Sequence, residues 1–569
     1  MDTRIATILT YDEVYARKSE LSAKALIEDL PSINLLKYIS FIDINLYGYD
    51  NVKKDPTLLA KSVFGLLNYI PEDDKNKYLS ALKRLEAQYG NVRIFYREAN
   101  LRVYDLIFST WNDQKFRTLS ANETINFFNA YLITSSGISV TDKLGENKIK
   151  NAVANEIPFE DILLENFIYQ TDYKSTSDFH NQISRAFYFT EFLSNSLIFK
   201  DYFNGYLDSY DITNKNELIS SIVSLILECI KAIKENAPYS PSIVSFTNEE
   251  AAINNKFLTA ISINNKIDEY TIDESFTIIR NFPLYKIADK TYLILEINFL
   301  IDKLYKNFVF SFSKFLDKQG YKVKNYHTIK GKEFMQDYYF YKLIPRCFNN
   351  LDYKLLTGGE IEREINRELS DYLIKSDNKI ALLELKDVIL TSKVKNEGDI
   401  QKLFEELDLK MKMNTTAQED PTDVQQLIKA IVHLDKISNI LETSNCLLDI
   451  YPIIVYTDEC IGFESLSKRY CEQFLTEISS VKQLSIYNIH PLIFINLNFF
   501  ELLEDKLISK ELDFFPLLDG YYKFISAPEN ANLPFERYVR MCIDKKGLKP
   551  KVPPLTLECF KKMANESGR

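Results

Sequence analysis

Apolar residues in the first 240 positions recur at spacings of three and four. This predicts helices over Glu20–Leu30, Leu58–Tyr69, Asn76–Tyr89, Ile125–Leu132, Ser184–Phe199 and Glu217–Glu235, punctuated by Pro31, Pro56, Pro71 and Pro158. The pattern then changes. Phe282–Leu304 alternates and then runs apolar, which predicts a hairpin and a helix, and Lys332–Phe348 is amphipathic with a helical period. Glu360–Arg367 is dense in charges of both signs, with Ile361, Ile365 and Leu369 at helical spacing; a strand start is also compatible. In Ser370–Val388 the period drops to that of strands. Two apolar runs flank Ser376-Asp377-Asn378-Lys379, a turn-rich break. Helices are expected at Gly398–Met413 and Asp423–Leu441. Tyr451–Thr457 and Pro491–Leu497 are short β-branched runs of the kind buried on both faces, followed by helices at Phe463–Ile478 and Phe499–Ile508.

The hairpin is where polar residues enter apolar strands. Asp371 opens the first strand, and Glu384 and Lys386 interrupt the second. Two apart in a strand, Glu384 and Lys386 share a face, and a charge there is costly unless it is paired or holds a metal. If Lys375 faces Ile380 across the turn, Asp371 lands opposite Glu384, with Cβ atoms roughly 5 Å apart. Carboxylates that close repel unless a cation lies between them, an arrangement suited to a hard divalent metal. A one-residue slip would send Asp371 to the other face.

Asp371, the apolar hairpin and Glu384-Leu385-Lys386 resemble the core of the PD-(D/E)XK nuclease superfamily, the restriction-endonuclease-like fold. The resemblance covers roughly residues 330–510 and includes the order of elements: helix, hairpin, then strand, helix, strand, helix. It departs from the family pattern in that Leu369-Ser370, not proline, precede the acid. The resemblance implies a mixed sheet flanked by helices and a metal-dependent deoxyribonuclease. Asp371, Glu384 and the Leu385 carbonyl would hold Mg²⁺ or Mn²⁺, and Lys386 would orient or activate the attacking water. It further implies an accessory acid on the upstream helix, Glu333 or Asp337, and a glutamine on a downstream helix, Gln425 or Gln426. A role in bacterial anti-phage defence or DNA processing also follows from the resemblance.

Composition limits the picture. The chain has 569 residues, 46% of them hydrophobic, 36 Tyr and 38 Phe. That supports several cores, and the aromatic cluster at 187–206 is read as packing, since its spacing is helical. We expect four regions: a helical domain at 1–240, a connecting region at 241–330, the nuclease-like domain at 331–545 and a basic tail at 546–569. No membrane span or signal segment is expected, and seven scattered Cys fit a reducing, cytoplasmic setting. The net charge of −11 argues against a protein that coats nucleic acid, so DNA contact should be local. Between Lys303 and Lys332 eight lysines stand against one acid, Asp317. Lys322, Lys324, Lys330 and Lys332, with Arg469 further on, are the candidate phosphate contacts. The helical half is expected to bind a protein partner or another copy. P-loop, GxSxG and HExxH motifs are absent, and four His leave little material for a zinc site. Two rival readings remain open: a helical scaffold whose nuclease-like domain binds without cutting, and a nuclease acting on RNA.

Overall fold

The computed structural model describes residues 7–52, 55, 58, 62, 68–90, 92–154, 178–235, 242–246, 253–348, 352–365, 369–397, 400–411, 424–442, 447–462, 464–481, 487–531, 533–549 and 551–566. Pro56 and Pro158, Gly398, Lys412–Met413, Asp423, and Asn366–Glu368 at the end of the charge-dense run lie outside them. The chain divides into two compact units: Met1–Asn155 with Ile198–Phe312, and Glu156–Leu197 with Ser313–Arg569.

The first unit is mostly helical, with long helices at Ser32–Tyr47, Arg97–Ser109 and Asn216–Lys234. It carries a parallel pair, β1 (Thr7–Ile8) with β2 (Val92–Arg93), and a three-stranded antiparallel sheet of β3 (Ile243–Ser245), β4 (Leu284–Ala288) and β5 (Thr291–Ile294). The β4–β5 hairpin followed by the helix Ile297–Asp302 matches the alternating-then-apolar pattern of Phe282–Leu304. Glu296, fully buried, caps that helix and is held by both arms of Arg97 at 3.0 Å.

Two acids give this unit a pH response. Burial pushes the Asp105 carboxyl up to about 7 against the opposing pull of its Tyr270 hydrogen bond and Arg102, while Asp273 and Glu274 add to the rise. Burial, then Glu296, raises Asp43 in the same direction. A folded-state acid with a raised pKa keeps its proton where the unfolded chain has lost it. Its contribution is therefore complete below about pH 4 and is lost as pH climbs through about 7. We expect the urea midpoint of this unit to be lower at pH 8 than at pH 5, and the difference to shrink in Asp105→Asn. An unchanged difference would remove Asp105 as the cause.

The second unit is built on a six-stranded mixed sheet. Its strands are β6 (Lys354–Thr357), β7 (Tyr372–Ser376), β8 (Lys379–Lys386), β9 (Leu448–Tyr456), β10 (Tyr487–Ile489) and β11 (Ile493–Asn496), in the order β10-β9-β8-β7-β6, with β11 also on β9. β6, β7 and β8 run antiparallel; β8, β10 and β11 run parallel to β9. The central strands are apolar on both faces because both are covered. Ile380 and Leu382 face a core with Leu407, Leu427, Ile431, Leu466 and Tyr470, from helices Ile400–Lys410, Val424–Val432 and Glu464–Ser479. On the other face Tyr372 meets Phe340, and Tyr451 meets Phe515 from the helix Phe514–Ile525. The charge-dense run, left open between helix and strand, is a helix at Gly358–Ile365.

The units divide the chain at other places than composition does. The helix Phe179–Asn195, expected with the first 240 residues, packs within the second unit. Its Phe189 and Phe192 rings meet Phe334, and its Arg185 pairs with Glu501. Of the region 241–330, residues up to Phe312 fall in the first unit and those from Ser313 in the second. The aromatic cluster is core, with Phe187, Phe189, Phe199 and Phe203 fully buried. Among the described residues no helix is long and apolar enough to cross a membrane.

Candidate functional site

The β7–β8 hairpin adopts the expected register, with Lys375 opposite Ile380 and Tyr372 opposite Leu383. The turn is tighter than the four-residue break suggested: Ser376 and Lys379 still pair, leaving Asp377-Asn378 as the loop. Asp377 takes a positive φ of 50°, a conformation Asp tolerates better than most residues. Continued one step, this register sets position 371 against position 384. Asp371 stands at the bend just before β7, where the main-chain ladder ends, and its side chain replaces the missing acceptor: the Leu385 N–H donates to Asp371 Oδ2 at 2.7 Å.

By alternation Glu384 and Lys386 project from the same face as Ile380 and Leu382, and Asp371 from that of Leu373. All three polar side chains are withdrawn from solvent, with exposures of 4% for Asp371, 3% for Glu384 and 8% for Lys386. Lys386 Nζ donates to Glu384 Oε1 at 3.1 Å. In a strand the N–H and C=O of one residue leave from the same edge, so the Leu385 carbonyl also faces the β7 side, where Asp371 stands.

Two features fix the surroundings. The Gly358 N–H donates to the Asp371 carbonyl at 2.9 Å, and a Cβ at 358 would come within 2.6 Å of the Ser370 carbonyl oxygen. Gly358→Ala must therefore push the backbone that carries Asp371. We expect a loss of about 1–3 kcal/mol, the usual cost of overpacking, in urea denaturation of the second unit. A loss below about 0.5 kcal/mol would mean the contact relaxes freely. Beyond β8, Asp387 accepts from Thr457 Oγ1 at 2.9 Å and pairs with Lys330. Further across the sheet, Tyr456 and Asn496 follow Lys386 in register, and the half-buried Glu536 accepts from the Asn496 N–H at 2.6 Å. Burial pushes the Glu536 carboxyl up.

Of the sequence-derived candidates, Asp371, Glu384, Leu385 and Lys386 come together at the ends of β7 and β8. The upstream element contributes a different residue from the one expected. Glu333 is exposed, and Asp337, also exposed, lies 3.8 Å from Lys332. It is Gln336, 9% exposed, whose Nε2 donates to Asp371 Oδ1. The sequence signal for Gln336 is a lone amide among buried neighbours, Phe334, Met335, Tyr339 and Phe340. Lys330 needs correction as a phosphate contact. It is 5% exposed and ion-paired with Asp387, so its charge is spent inside the fold. Lys322, Lys324 and Lys332 are exposed. Arg469 packs over the Phe404 ring, 4.2 Å from its centroid, and bonds Asp408 at 3.1 Å, a contact that competes with phosphate. Gln425 and Gln426 are half-buried at the start of Val424–Val432, the helix that packs on the site's face of the sheet.

Asp371, Glu384 and the Leu385 carbonyl are hard oxygen donors, the kind that could hold Mg²⁺ or Mn²⁺ and not a soft metal. Among the described residues no group of three or more His, Cys, Asp and Glu side chains converges, so any such site depends on the carbonyl and on water. Comparisons of the chain with protein-family models, curated proteins and solved structures return no match.

Proposed function

We propose that the second unit is a metal-dependent nuclease that hydrolyses phosphodiester bonds of DNA. The observation that carries this reading is the meeting of Asp371, Glu384 and Lys386, all nearly buried, at the end of an otherwise apolar hairpin. Structural strands do not need such a triad, since burying it costs more than burying leucines of similar volume. A divalent cation on Asp371, Glu384 and the Leu385 carbonyl would polarise the scissile phosphate and lower the pKa of a bound water. Lys386 is the cationic partner. Its ammonium bonds Glu384 at 3.1 Å and supplies positive charge where the attacked phosphate accumulates negative charge. Exposed lysines such as Lys322 and Lys324 would contribute salt-dependent affinity for the phosphate backbone. A part in anti-phage defence or DNA processing, with the helical first unit contacting a protein partner, belongs to the same proposal.

A non-cutting reading draws on the same ion pair. With Lys386 on Glu384 Oε1 the two charges are paired inside the fold, as in a binding domain that has kept the shape and lost the chemistry. Plasmid, linear duplex, single-stranded DNA and RNA, each offered with Mg²⁺, Mn²⁺ or EDTA, separate the readings. Cutting that needs the metal and favours DNA supports the proposal, and cutting of RNA alone changes the substrate. Binding without cutting under any metal supports the scaffold.

A further inference from the structure

The segment Lys330–Phe340 winds as a π-helix, with i→i+5 hydrogen bonding. π turns are rare and are frequent at functional sites. Two of the segment's buried residues are polar, and both reach chain that flanks the candidate site. Lys330 pairs with Asp387, one residue beyond β8, and Gln336 donates to Asp371, one residue before β7. The segment is anchored independently of both contacts: Phe334 packs on Phe189 and Phe192, and the Tyr339 hydroxyl donates to Glu501 at 2.6 Å.

Both oxygens of Asp371 are therefore engaged, Oδ2 by the Leu385 N–H and Oδ1 by Gln336. Two donors from different segments of the chain restrict how the carboxylate can turn, and so fix the directions its lone pairs take. We propose that Gln336 is a positioning residue that holds the Asp371 carboxylate in the orientation that binds a divalent cation. The proposal rests on the reading of Asp371 and Glu384 as cation ligands. An amide suits the task. It stabilises the anion as a neutral donor, whereas a carboxylate at 336 would repel Asp371 and a lysine would compete with the metal for it. Partners of this kind, which orient a ligand without touching the metal, change metal affinity about ten- to a hundredfold when removed.

The test is Mn²⁺ binding to the full chain without nucleic acid, followed by electron paramagnetic resonance of the free ion and by calorimetry. Wild type is set beside Gln336→Met, Gln336→Asn and Asp371→Asn, with melting in EDTA as the check on folding. Gln336→Met keeps the length and loses the donor; Gln336→Asn keeps the amide and shortens the arm. Both should bind Mn²⁺ about ten- to a hundredfold more weakly than wild type while still melting cooperatively. Should Gln336→Met fail to fold, Gln336→Asn carries the test, since it leaves no apolar group against the carboxylate. Unchanged Mn²⁺ affinity in a folded Gln336 variant, with binding lost in Asp371→Asn, overturns the positioning role and leaves the metal site standing. Absence of Mn²⁺ binding in wild type overturns both.

Discussion

Glu384→Gln should abolish metal-dependent cleavage while leaving the second unit folded. The substitution conserves volume and removes one of the two carboxylate charges at the hairpin's end. If a cation held there polarises the phosphate, losing that ligand should slow cutting on the order of 10³-fold or more, about 4 kcal/mol at roughly 1.4 kcal/mol per tenfold. Asp371→Asn should do the same. Lys386→Met, which deletes a charge and not a cation ligand, should cost less, about 10²–10³-fold, the range for losing one transition-state donor. Fold effects are separable: Glu384→Gln keeps an oxygen for Lys386, 3.1 Å away, so its urea midpoint should stay near wild type, whereas Glu384→Ala would strand a lysine that is 8% exposed. Single-turnover cleavage at saturating Mg²⁺ decides the matter. Cutting at an undiminished rate by Glu384→Gln would place the chemistry elsewhere.

Arg185→Leu should cost the second unit about 3–5 kcal/mol, the range for stranding one member of a buried ion pair. Arg185 and Glu501 have side-chain exposures of 4% and 1%, and the guanidinium makes two bonds of 2.8 Å to the carboxylate and one of 2.9 Å to Asn498. With Arg185 gone, Glu501 would be left buried with the Tyr339 hydroxyl and no counter-charge. Arg185→Leu with Glu501→Leu should regain much of the loss, because an apolar pair of similar volume carries no desolvation cost. Urea denaturation gives both numbers. A loss under about 1 kcal/mol would mean that water reaches the pair and that the helix Phe179–Asn195 is held to this unit by its other contacts, the aromatic ones and hydrogen bonds such as Ser184 with Thr556. Tyr339 lies three residues beyond Gln336 on the same segment, so Arg185→Leu should also weaken Mn²⁺ binding where the chain stays folded.

What was legible in the sequence was short-ranged. The hairpin register follows from where the turn residues stand, because strand period and loop length leave Asp371 one position against Glu384. The mixed sheet was visible as apolar runs at 380–386, 451–457 and 491–497, since strands covered on both faces cannot afford alternation. Asp371, Glu384 and Lys386 stood out for the same reason, as charges at the end of the hairpin away from its turn, where the run is otherwise apolar. Lys330 misled because a lysine-rich stretch looks uniform in sequence, while burial singles out the one residue that meets Asp387, 57 positions away.

Only tertiary structure decided which helix serves which unit and which side chain reaches the acid. Gln336 and Asp371 are 35 residues apart, and Arg185 and Glu501 are 316 apart. Contacts at such separations leave no periodic trace. They depend on how whole elements pack, and a π-helical segment presents its residues at a pitch that α-helical spacing does not anticipate. Local chemistry thus determined the hairpin and its charged end, and packing determined the residues that hold it in place.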